Sequence, residues 1–154
     1  MQTNTELVLA LWEEARTRFS NQLDELNPED LRKKLGTSPN SVGFLIRHIA
    51  DVELLFAKNV FGDSSLSVTA KTVIAKKDTG EWTDLDTIKS YALSAFETLR
   101  SILRQQTDAD WETSIRTQEF GAKTKAEALG RITSHTAYHA GQLAIAVKYG
   151  RIPE

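Results

Sequence analysis

Three histidines, His48, His135 and His139, are the only side chains of this sequence with an ordinary pKa near neutrality, and there is no cysteine. His135 and His139 are four residues apart. On a helix that spacing puts both imidazoles on one face, about 6 Å apart at Cβ, close enough for both rings to reach one metal ion at ~2.0–2.1 Å. Ile132, His135, His139, Gln142 and Ala146 step by three and four residues, so this face looks inward or edge-on. His48 lies between Leu45 and Val52 at the same kind of spacing, beside Ile49. Three imidazoles converging from two helices would leave a coordination position for water, as in catalytic zinc sites and unlike closed structural ones. A helix-face histidine is more often simply hydrogen-bonded or solvated, so the pattern alone does not decide.

Around these residues, Asp51 and Glu53 are the general-base candidates. Asp51, one turn after His48, reads better as an acidic group that orients a ligand histidine. Gln142 could bond a ligand or substrate, or be a satisfied amide within the bundle. Imidazole must be neutral to ligate, so a metal held this way is expected to leave on acidification through about pH 6.

Composition narrows the function classes. Without cysteine there is no disulfide framework, thiolate zinc site or cysteine nucleophile. A net charge of -2 argues against capture of nucleic acid or anionic lipid. No run of 18 apolar residues is present, and Met1-Gln2-Thr3-Asn4-Thr5-Glu6 lacks the features of a secretory signal, which favours a cytoplasmic protein. No phosphate-binding glycine loop, Ser-His-Asp signature or paired-acid motif stands out.

The elements that must position the histidines follow from periodicity. Leu7, Ala10, Leu11, Ala15, Phe19 and Leu23 mark a helix over roughly 6–26, ended by Asn27-Pro28. A short helix ending near Lys34 follows, with Gly36 as its stop. Asn40 or Ser41 can cap a second helix running to about Val60. Residues 61–83 lose periodicity and read as a long crossover in which Leu66, Val68, Val73 and Ile74 could form a short extended piece. Asp84 or Asp86 can cap a third helix through Leu103, and residues 114–124 suggest a small hairpin turning at Phe120-Gly121. The last helix spans roughly Lys125–Tyr149, with Gly150 where a left-handed cap belongs. The expectation is one all-α domain over 1–154: a four-helix bundle with a long crossover and a small β-hairpin before the last helix. Trp12, Trp82, Trp111 and Tyr138 read as core rather than pocket lining. Gly43 and Gly141 sit inside helices at a cost of about 1 kcal/mol each, and Lys71, Lys76 and Lys77 read as a solvent face.

The stretch His135-Thr136-Ala137-Tyr138-His139-Ala140-Gly141-Gln142-Leu143 resembles the last-helix signature of the DinB-like (YfiT-like) metal-binding superfamily. Ser41-Val42-Gly43-Phe44-Leu45-Ile46-Arg47-His48-Ile49-Ala50 is similar to its lone-histidine second helix. The order of elements agrees over nearly the whole chain. The resemblance implies a four-helix bundle, commonly homodimeric, holding a divalent transition metal, most often nickel or zinc, on residues matching His48, His135 and His139. It further implies a metal-dependent enzyme acting on a small-molecule substrate, either an S-transferase with a low-molecular-weight thiol as cosubstrate or a hydrolase. It does not imply nucleic-acid or membrane binding. The competing expectation is a non-enzymatic dimeric bundle whose metal site is stabilising or vestigial.

Overall fold

The first helix, α1 (Asn4–Leu23), starts where Thr3 and Glu6 cap each other's backbone N–H groups. Its buried row is Trp12, Arg16, Phe19 and Leu23. Leu7 and Leu11, expected in the stripe, are instead 48% and 62% exposed. The core face is rotated from the leucine row because Arg16 belongs to it. Its guanidinium is buried, donating to both Glu53 carboxylate oxygens at 3.0 and 3.1 Å and to the Ala92 carbonyl. A charged residue in the buried row hides that row from hydrophobic periodicity. The structure, a computed structural model, describes residues 2–154.

After a 3-10 turn at Pro28–Arg32, α2 (Val42–Asn59) begins at Ser41, whose hydroxyl accepts the Phe44 N–H at 3.1 Å. Val73 and Ile74 of the crossover are not extended: Lys71–Ala75 forms a short helix, α3, ended by Lys76 at φ 59°. Five residues are too few to display a 3.6-residue period, which is why the sequence reads as irregular there. Val73 and Ile74 are exposed, and so are Lys71, Lys76 and Lys77. Helix α4 (Leu85–Arg104) is capped by Asp84, and the expected hairpin joins β1 (Ser114–Thr117) to β2 (Gly121–Thr124), with Ser114 opposite Thr124. The turn occupies residues 118–120, and Gly121 (φ 73°) opens the return strand.

The last helix, α5 (Lys125–Tyr149), starts at a capping box between Thr124 and Glu127. Gly150 is not a left-handed cap: it is extended, at φ -69° and ψ 160°. Beyond it Arg151 and Lys34 exchange two backbone hydrogen bonds of 2.9 Å, and a Cβ at Gly150 would run into the Ala146 carbonyl oxygen. Glycine is needed here for close approach, not for a left-handed turn.

The four long helices form the bundle, with α1 and α2 each packing against α4 and α5. Trp12, Trp82 and Trp111 are core residues; Tyr138 is not, with 65% of its surface exposed. Gly43 has its own packing reason, since the Trp82 backbone carbonyl occupies the space a Cβ would take. Among the described residues no helix is long and apolar enough to cross a membrane.

Candidate metal centre

His48 comes from the middle of α2, and His135 and His139 from successive turns of α5; these two helices are packed neighbours. One ring nitrogen from each histidine lies within 4.8 Å of the other two, and all three side chains are half-buried at the bundle's edge. His48 Nε2 and His135 Nε2 are 3.2 Å apart. Two nitrogens bound to one tetrahedral ion at ~2.0–2.1 Å sit roughly 3.3 Å apart, so the pair is already at ligand spacing.

The surrounding hydrogen bonds decide which nitrogen each ring can offer. The Thr72 hydroxyl, on α3, has one proton and gives it to Asp51 Oδ2 at 2.7 Å, because a carboxylate only accepts. At its 3.2 Å contact with His48 Nδ1 the same hydroxyl must therefore accept. His48 is protonated at Nδ1, and its Nε2 lone pair faces the cluster. Gln142 Oε1 accepts from His139 Nδ1 at 2.7 Å and leaves His139 Nε2 free in the same way. His135 Nδ1 is buried with no partner. If His135 Nε2 donates to His48, a bare Nδ1 is buried; if it does not, two lone pairs face each other at 3.2 Å. A cation among the three rings would remove the lone-pair repulsion between His48 Nε2 and His135 Nε2, so the donor set fits a divalent ion.

Electrostatics keep the rings neutral. Burial pulls the His48 pKa down to about 4; a charge on His139 would lower it further, and Asp51 opposes. His135 is lowered to about 3, chiefly by burial and then by repulsion from His139, His48 and Arg131. Burial also lowers His139, offset by its bond to Gln142. At His48 and His135 the neutral, lone-pair-bearing imidazole thus persists well below pH 6.

The two acidic candidates part company. Asp51 is fully buried and accepts four hydrogen bonds, from Arg47 Nε and the Tyr91 hydroxyl on Oδ1 and from the Thr72 N–H and hydroxyl on Oδ2. Every lone pair is engaged, which makes it a group that holds Thr72 and, through it, His48. Burial, and then the bond to Asp51, raise the Tyr91 pKa, so its hydroxyl stays a donor. Glu53 is bound to Arg16, and burial raises its pKa against the pull of that charge. It takes no part in the site. No sequence signal marks Thr72 and Tyr91, which lie 21 and 40 residues from Asp51; Arg47, one turn before Asp51, is the partner that helical spacing does mark.

Against His48 and His135 opens a cavity of about 470 Å³, walled by α2, the hairpin tip and Val73 of α3. A second cleft of about 370 Å³, shared with Phe56, Glu119 and His135, reaches Arg131, Ser134 and Tyr138.

Comparison with curated proteins finds no match. The sequence does match the DinB superfamily over residues 11–143, a span that holds all three histidines together with Asp51, Thr72 and Gln142. A match over most of the chain, with the helical bundle and the hairpin before its last helix, means that this protein belongs to the DinB superfamily.

Proposed function

We propose that this protein is a divalent-metal-dependent enzyme whose ligands are His48, His135 and His139, acting as a small-thiol S-transferase or a hydrolase on a small-molecule substrate. The observation that carries this reading is the convergence of three neutral imidazoles, two of them held by Thr72 and Gln142 with Nε2 turned to the cluster. Nickel or zinc suits an all-imidazole donor set. When bound, such an ion would supply positive charge favouring the deprotonated form of a water or thiol at neutral pH. The chain's own residues do the positioning. Thr72, fixed by Asp51, holds the His48 ring and its tautomer, Gln142 does the same for His139, and the apolar wall of the neighbouring cavity excludes water from one side of the cluster. With Asp51 saturated, a proton released at the cluster passes to solvent at the exposed edge or to Glu119, whose half-exposed carboxylate lines the same cavity as His48 and His135.

A stabilising site would need a fourth protein ligand to close the shell. Among the described residues the metal-capable cluster consists of the three histidines alone, which favours the catalytic reading. A cysteine-free chain has to receive any reacting sulfur as a cosubstrate. The proposal includes a cytoplasmic homodimer, checked by sedimentation equilibrium. Elemental analysis after dialysis tests the site: wild type is expected to retain about one ion per chain and His135→Ala far less. Full retention by His135→Ala would show that the ligands are wrong.

A further inference from the structure

The cavity beside the cluster has a composition that selects its occupant. Its floor is α2, where Val52, Phe56 and Val60 are almost fully buried and Leu55 is half-buried. Its roof is the hairpin tip, where the Phe120 ring lies 6.0 Å from Phe56. Apart from the imidazoles, Glu119 is the only ionisable group among the described lining residues; its half-exposed carboxylate accepts from Arg131 Nε on Oε1 at 3.1 Å, while the same guanidinium sits 5.5 Å from the centre of the Phe120 ring. Arg131 therefore ties the roof to α5 and pairs the one carboxylate on the wall at its solvent-exposed side. Among the described residues no lysine or arginine lines this cavity to receive an anionic group; Arg131 lies in the adjoining cleft, paired with Glu119, and the polar lining at Asn59, Thr117 and Gln118 is uncharged. At about 470 Å³ the space is that of a drug-sized pocket, with the histidines at one end.

We infer that this cavity binds the uncharged, apolar body of the substrate, of one- to two-ring size, with the reacting atom directed to the histidine end. The inference rests on the metal-site reading above and adds the substrate class. Polar or charged groups of the substrate are confined to the histidine end or the mouth, because an unpaired charge deep between Phe56, Val60 and Phe120 would lose its hydration without gaining a partner.

The test is fluorescence titration of the full chain with N-phenyl-1-naphthylamine, a neutral two-ring probe that brightens in apolar surroundings. Saturable one-to-one binding is expected. Leu55→Asp, which puts a charge on the floor, and Leu55→Trp, which fills it, should each weaken binding at least ~10-fold. Leu93→Asp, on an exposed part of α4, should leave it unchanged. Circular dichroism confirms folding, and the two Leu55 variants guard against one failing to fold. In chelator-treated protein the 8-sulfonate of the same ring system should bind at least ~10-fold more weakly than the neutral probe. Wild-type affinity in both Leu55 variants, or equal affinity for the two probes, would overturn the inference. Metal content is read on the same wild-type sample. Retained metal without saturable probe binding overturns the cavity assignment alone, whereas probe binding without retained metal supports it and refutes the metal reading instead.

Discussion

Thr72→Val isolates the hydroxyl that links Asp51 to His48. Thr72 is 1% exposed, so a valine of nearly the same shape leaves packing intact and deletes two hydrogen bonds, at 2.7 Å to Asp51 Oδ2 and 3.2 Å from His48 Nδ1. A bond to a charged acceptor is worth about 1.5–3 kcal/mol. Asp51 keeps Arg47, Tyr91 and the residue-72 N–H, so the low end applies, and a stability loss of about 1–2 kcal/mol is expected in urea denaturation of the metal-free chain. The larger effect falls on the metal. With no acceptor at Nδ1, His48 loses the bond that keeps its proton there, and the tautomer with Nε2–H cannot ligate. Removing such a partner typically costs ~10–100-fold in metal affinity. Competition against a chromophoric chelator measures this, and Thr72→Ser, which keeps the hydroxyl, should restore most of it. If Thr72→Val bound zinc or nickel within about twofold of wild type, the Asp51–Thr72–His48 chain would have no part in holding the ligand.

Two helix glycines should respond in opposite directions to alanine. Gly43→Ala forces the new methyl into the Trp82 carbonyl and should cost about 1–3 kcal/mol, while Gly141→Ala meets nothing within 4 Å and should gain up to about 1 kcal/mol, both read from denaturation midpoints. Glu53→Leu alone strands the buried Arg16 charge and should cost about 3–5 kcal/mol, with most of this recovered in Arg16→Met/Glu53→Leu; equal stability of single and double variants would count against the pair's role. In the metal-free chain His48 and His135 titrate near 4 and 3, below the ordinary 6.5, so the folded state binds fewer protons than the unfolded one. Their contribution is present above pH 6.5 and is lost as pH falls from there toward about 3–4, and His135→Phe should flatten that part of the urea-midpoint profile.

The helical frame was legible because long amphipathic helices advertise themselves through period and punctuation. Ser41, Asp84 and the Lys125–Tyr149 span appear where side-chain caps and hydrophobic spacing put them. Misreadings fell where a tertiary contact outweighed a local rule. The Arg16–Glu53 pair turned α1 so that Leu7 and Leu11 face out, and the Lys34–Arg151 pairing drew Gly150 into an extended conformation. Helix α3 escaped notice because one turn of helix carries no period, and its anchor, Asp51, lies 21 residues away.

The sequence by itself determined that three imidazoles are the only side chains with an ordinary pKa near neutrality, that no cysteine contributes sulfur, and that His135 and His139 share one helix face, since composition and helical spacing are local properties. Only the tertiary structure decided that His48 comes within 3.2 Å of His135, that Asp51 serves Thr72 rather than a proton, and that an apolar cavity roofed by the hairpin adjoins the cluster. Those outcomes depend on how elements 21 to 87 residues apart in the chain pack together. A period of 3.6 residues says which face of a helix is buried, but not which residue waits on the other side.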